Sequence, residues 1–163
     1  MHLLKNMHLL KNMQLMKAGV IAVIFAGSIS VAQAATCYRI DEIEADQAVR
    51  FQTELMVVSD SCGSQSYTEF THRNASTLAA YQQKMIGYFR RASGRGADTA
   101  FDRFITSLAN QMALSAGKET VSVLCTRSAD LLTKGQTFDK NDFVHYVTQQ
   151  AAAAKGTYPT CKN

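Results

Sequence analysis

An apolar run from Ala18 to Val31, bounded by Lys17 on one side and Ala32-Gln33-Ala34 on the other, divides this 163-residue chain into two unequal parts. Lys5, Lys11 and Lys17 lie before the run, and no acidic residue occurs ahead of Asp41. A positive start, an apolar centre and a small-x-small end are the parts of a secretory signal, so residues 1–34 read as a leader cleaved before Ala35. The run is about 14 residues long, short of the ~20 that a membrane-spanning helix needs. That length disfavours the rival reading, an uncleaved anchor. Lipid attachment at Cys37 is disfavoured too, because Ala34 and Thr36 stand where a lipoprotein carries Leu and a small residue. The extreme start is duplicated: Met1-His2-Leu3-Leu4-Lys5-Asn6 recurs as Met7 to Asn12, and Met13-Gln14-Leu15-Met16-Lys17 is a degraded third copy. Units this short cannot stack into a repeat fold, so a duplicated translation start is the simpler reading, with Met13 a sufficient initiator.

Export changes what the cysteines mean. Cys37, Cys62, Cys125 and Cys161 all lie after the leader, and an even number of cysteines in an exported chain points to disulfides. Of the three possible pairings, Cys62–Cys125 within the body and Cys37–Cys161 across the two ends give nested loops and tie down tails that otherwise fray. Metal and redox chemistry have weaker support. No C-x-x-C occurs, and spacings of 25, 63 and 36 residues are far wider than those of compact zinc sites. No metal or cofactor is therefore expected.

The leader also holds three of the 17 basic residues and none of the 13 acidic ones, so residues 35–163 carry 14 against 13 and are close to neutral. Non-specific nucleic-acid binding depends on an excess of Lys and Arg, and no nucleic-acid partner is expected. The remaining length suits one domain.

Helical periodicity dominates that domain. Ile43, Ala48, Phe51, Leu55 and Val58 predict a first helix from Asp41 to about Ser59, with Leu55-Met56-Val57-Val58 apolar on nearly every side and so central. Asp60 to Gln65 is a break, after which Ser66 and Glu69 fit a capping box. The second helix runs to about Ala92 with Phe70, Leu78, Tyr81, Met85, Tyr88 and Phe89 inward. A third carries Phe101, Phe104, Ile105, Leu108 and Met112. A fourth carries Val121, Leu124, Cys125, Ala129 and Leu132, closed by Gly135, and a fifth, capped by Asp139, carries Phe143, Val144, Val147, Ala151 and Ala154. Short connections imply antiparallel neighbours. The expected fold is all-α: one four- to five-helix bundle-like domain over residues 35–163, stapled by two disulfides.

Catalytic signatures are absent from this pattern. His72 and His145 lie 73 residues apart without a ligand motif around them, and no G-x-S-x-G elbow, P-loop or dinucleotide fingerprint occurs. Glu54 is the one carboxylate of interest, since it adjoins the most apolar stretch. Buried, it would have a raised pKa and could act as a general acid; a structural bond to a neighbouring helix is the competing role. The sequon Asn74-Ala75-Ser76 falls inside a predicted helix and is discounted. The one charge cluster, Arg90, Arg91 and Arg95 beside Tyr88 and Phe89, suits a phosphate, an anionic lipid or an acidic partner. Its competing explanation is the affinity of a helix C-terminus for cations.

Phe51-Gln52-Thr53-Glu54-Leu55-Met56-Val57-Val58, followed four residues later by Cys62, together with Tyr88-Phe89-Arg90-Arg91, Thr106-Ser107-Leu108-Ala109-Asn110 and Cys125, resembles a group of uncharacterised small secreted proteobacterial proteins. The resemblance spans about Phe51 to Cys125. It implies a helical fold and a Cys62–Cys125 bridge, and it brings no activity.

The expectation is thus a periplasmic or secreted, non-enzymatic protein that binds another protein or an envelope component, without stable membrane insertion once its leader is removed. The alternatives are a stress chaperone resembling the small disulfide-bonded acid-stress chaperones of the periplasm, and a small envelope hydrolase using Glu54.

Overall fold

The computed structural model describes residues 37–162; the expected leader and its cleavage site lie outside the described residues. Helix α1 (Ile40–Cys62) is the central element and touches each of the other six α-helices. Its first turn carries Asp41 and Glu42, which favour the positive end of the helix dipole. It ends at Gly63, whose φ of 62° is a left-handed conformation that glycine takes without steric cost. Ile43, Ala48, Phe51, Leu55 and Val58 are all buried, as their spacing predicts.

Around α1 pack α2 (Ser66–Arg73), α3 (Ala75–Ser93), α4 (Ala97–Ala116), α5 (Val121–Arg127), α6 (Ala129–Thr137) and α7 (Lys140–Ala154), with 3-10 turns at Gly94–Gly96 and Lys155–Thr157. The described residues thus form an all-α bundle. All five expected helical segments are present, but two are interrupted. The second breaks at Asn74, which is 1% exposed. Its Nδ2 donates to the Phe70 carbonyl at 3.2 Å and the Phe138 carbonyl at 3.1 Å, so its side chain holds a bend that a helix interior would not need. The fourth breaks at Ser128, which resets the helical phase. Ala129, beyond the break, consequently faces outward, whereas Leu124 stays buried; Val121, the first residue of α5, is 61% exposed where the periodicity places it inward.

Two further local expectations are corrected. Ser66 does not form a capping box with Glu69; it is the first residue of α2, and its N–H donates to Ser64 Oγ at 3.2 Å while that of Tyr67 donates to Ser59 Oγ at 3.2 Å. Gly135 does not end a helix. It lies within α6, where a Cβ would sit 2.7 Å from Leu55 Cδ1 and 3.0 Å from Ser66 Cβ, and so permits the close approach of α6 to α1 and α2. Asp139 does cap α7, its Oδ1 accepting from the N–H groups of Asn141 (2.7 Å) and Asp142 (2.9 Å).

The core is aromatic at its centre. Phe70 and Phe143 meet edge to face at 4.8 Å, and Phe51 lies 5.1 Å from Phe70. Such contacts add about 0.5–1.5 kcal/mol each to the burial of the rings. Both expected disulfides form: Cys62–Cys125 joins the end of α1 to α5, and Cys37–Cys161 joins the two ends of the domain. Next to the latter, Tyr38 and Thr160 form an isolated parallel bridge, with the Tyr38 N–H donating to the Pro159 carbonyl at 2.8 Å.

Candidate functional site

The start of α1, the C-terminal half of α3 and the tail after α7 meet at one end of the domain. Glu42, in the first turn of α1, is 3% exposed. Its Oε2 accepts from the Arg39 N–H at 2.9 Å, which satisfies a donor at the helix start. Arg91 of α3 reaches the same carboxylate with both terminal guanidinium nitrogens, Nη1 donating to Oε1 and Nη2 lying 2.6 Å from Oε2. Burial alone would raise the Glu42 pKa. The bonds from Arg91 and the Arg39 backbone outweigh that cost and hold it below the ordinary value. Bidentate pairing also fixes the plane and position of the guanidinium, which a single contact would not.

One helical turn further along α1 lies a second buried acid. Asp46 is 0% exposed, and its Oδ2 accepts from Arg50 Nε at 2.6 Å and from the Tyr158 hydroxyl. Asp46 Oδ1 has no partner among the described residues. Tyr158 in turn accepts from Gln47 Nε2 at 2.8 Å and presents its ring edge to Tyr38 at 5.0 Å, while Tyr38 stacks on Tyr88 at 4.1 Å. Burial, followed by the bond to Asp46, pushes the Tyr158 pKa up. Burial likewise raises Tyr38, reinforced by its contact with Tyr88. These neutral phenols and paired charges act as a clasp: the tail is held by Cys161 covalently and by Tyr158 through Asp46.

Two clefts open on either side of Arg91. One, of about 360 Å³, is lined by Arg39, Lys84, Gly87, Arg90 and Arg91, with Asp41 and Glu42 as its acids. The other, of about 650 Å³, includes Arg39, Arg91, Lys155 and Lys162 together with Ile40, and no acidic residue. Six of the 14 basic residues beyond the leader thus line these clefts, against two of the 13 acidic ones. That end is strongly positive and the rest of the domain is net negative. Arg39, Lys84, Arg90, Lys155 and Lys162 are exposed and make no ion pair among the described residues.

Gly87 lies within α3 and lines the first cleft. A Cβ there would meet nothing within 4 Å, so packing does not call for glycine. Glycine inside a helix costs about 0.5–1 kcal/mol relative to alanine. The structure keeps that cost and leaves backbone open between Lys84, Arg90 and Arg91.

Of the three arginines singled out by sequence, Arg90 lines a cleft. Arg91 lines both but is committed to Glu42, and Arg95 stands on the following 3-10 turn and lines neither. Lys84, on the same helix, completes the positive end together with Arg39, Lys155 and Lys162, which come from segments too distant in sequence to look like one cluster. Glu54 lies on an exposed part of α1, so the burial required of a general acid is missing. His72 and His145 are exposed, on α2 and α7. The Asn74 side chain is buried, which closes its sequon to modification in the folded state. Among the described residues no group of three His, Cys, Asp or Glu is placed to hold a metal, and no helix is long and apolar enough to cross a membrane.

No protein-family model, no curated protein and no solved structure matches the chain.

Proposed function

We propose that this chain is a periplasmic or secreted, non-enzymatic binding protein whose recognition surface is the positive end built around Arg91. The observation that carries the reading is charge segregation. A domain with almost no net charge gathers six cations around two adjoining clefts and sends most of its acids elsewhere. Five of the six make no ion pair among the described residues, and unpaired cations at one place self-repel, so their gathering suits an anionic partner. The fixed guanidinium of Arg91 gives that partner an oriented site, since Glu42 has already restricted its side-chain freedom. Export is supported by the leader-like start and by two disulfides that suit an oxidising compartment.

Calorimetric titration of the processed, oxidised protein with pyrophosphate, as a probe of anion binding, tests the reading. Binding that weakens with added salt, and weakens again in an Arg90→Gln/Lys155→Gln/Lys162→Gln variant of unchanged melting temperature, is expected. Absence of binding at low ionic strength sinks it.

A second reading, a chaperone for unfolded clients, draws on Leu114, Val121 and Val123, which are 72%, 61% and 53% exposed. Exposed aliphatics of that size can engage unfolded chains. Failure to suppress aggregation of acid-treated clients at any pH removes it.

A further inference from the structure

We infer that the anion engaged by the positive end is the phosphate of phospholipid headgroups, and that Ile40 enters the headgroup–acyl boundary as the protein docks on an anionic membrane surface. The inference rests on the anion-binding reading above and commits it to a lipid surface. Three observations carry it.

Ile40 is the first residue of α1 and is 53% exposed, although it lies in the cleft that contains Arg39, Lys155 and Lys162. A bare aliphatic group among cations adds little to the capture of a small hydrophilic anion. At a membrane interface the same arrangement is favourable throughout: the cations meet phosphates and the aliphatic group leaves water.

The exposure of the cations points the same way. A pocket for a small ligand encloses most of that ligand, yet Arg39, Lys84, Arg90, Lys155 and Lys162 all stand exposed. A partner that meets all of them at once is itself a surface. They belong to three separate chain segments fixed to one another by the Glu42–Arg91 pair and the Cys37–Cys161 bridge, so the array is rigid at its base and free at its tips. Long Lys and Arg side chains on such a base can adjust to a fluid layer of headgroups, with their stems lying along apolar surface.

Charge complementarity supplies the orientation. With the positive end facing the lipid, the net-negative remainder is held away from it, so one docking pose is favoured over the others.

Co-sedimentation of the processed, oxidised protein with vesicles decides the matter. Phosphatidylcholine vesicles are compared with mixed phosphatidylcholine–phosphatidylglycerol vesicles, and soluble pyrophosphate and polyglutamate are titrated in parallel. Binding to the phosphatidylglycerol vesicles alone is expected, lost at high salt, and weakened about fivefold for each of Lys155→Gln and Lys162→Gln. Ile40→Ser should weaken vesicle binding several-fold, whereas Leu114→Ser, which removes an exposed aliphatic group outside these clefts, should not. Pyrophosphate binding without vesicle binding overturns the lipid assignment and leaves the anion-binding reading standing. Binding to neither overturns both. Tighter binding to polyglutamate than to the vesicles, or vesicle binding indifferent to Ile40→Ser, overturns the inference in favour of an acidic protein or a purely electrostatic contact.

Discussion

Gly87 and Gly135 both occupy helix interiors, and a substitution table would treat them alike. Their surroundings give them opposite signs. At Gly87 a methyl group meets open space, so Gly87→Ala should stabilise the protein by about 0.5–1 kcal/mol while narrowing the cleft and weakening anion binding. At Gly135 a methyl group would press on Leu55, itself fully buried, and Gly135→Ala should cost about 1–3 kcal/mol. Urea melts of the two variants beside the parent check both; equal effects of one sign would refute the packing. Glu42 makes a second residue-scale prediction. Its folded pKa lies below the ordinary carboxyl value, so the stability it confers is complete above the unfolded pKa of about 4.3 and is lost as pH falls from there through the lowered folded value. Glu42→Gln should therefore destabilise by about 2 kcal/mol at neutral pH, less than the ~3–5 kcal/mol of a fully buried pair, because Arg91 retains 28% exposure. The difference should shrink in melts carried out in acid. A gap of the same size at neutral and acidic pH would contradict the ion pair. Glu42, Asp46 and Arg50 recur at four-residue spacing, a pattern that places them on one helix face and was open to sequence reasoning. What the spacing does not contain is the cover supplied to that face by α3 and the tail. For the same reason the sequence leaves the burial of Glu54, which adjoins the apolar run, open, and the structure shows it exposed.

At the scale of elements, periodicity located the five helical segments of the described residues, because an inward stripe is a local property of the chain. The breaks were another matter. Asn74 and Ser128 interrupt helices whose own residues favour continuation, and the group that holds the first break, the Phe138 carbonyl, lies 64 residues away. Neighbouring Arg73 belongs to the same junction: Nη1 donates to the Phe138 carbonyl at 2.9 Å and Nη2 to the Gln136 carbonyl at 2.7 Å. It thereby satisfies acceptors that the C-terminus of α6 leaves open. Arg73→Ala should cost about 1–2 kcal/mol, with amide exchange accelerating first in α6 and at the start of α7. Unchanged exchange there would mean that water replaces the guanidinium without loss. Exposed Ala129 follows from the second break, since a stripe drawn through an uninterrupted helix carries the wrong phase beyond Ser128.

Over the whole molecule, the disulfides were legible because parity and nesting are properties of the sequence once export is assumed. The positive end was legible only in part. Lys84, Arg90 and Arg91 share one helix, but Arg39, Lys155 and Lys162 join them only through folding, and no window along the chain contains all six together. Nesting also bears on stability. Cys37 and Cys161 are 124 residues apart, but the inner bridge short-circuits 63 of these, so with Cys62–Cys125 intact the outer loop is about as long as the inner one. Chain entropy then values either bridge, lost first, at roughly 4 kcal/mol. Cys37→Ser/Cys161→Ser and Cys62→Ser/Cys125→Ser should destabilise to a similar degree despite their unequal spans; a far larger loss from the outer pair would place its value in native contacts such as Tyr158–Asp46. The most direct test of the positive end as the recognition surface is the pattern of amide chemical-shift changes when the processed, oxidised protein is titrated with short-chain phosphatidylglycerol. Changes confined to Arg39–Glu42, Lys84–Arg91 and Lys155–Lys162 are expected, whereas changes centred on Leu114, Val121 and Val123 would contradict it.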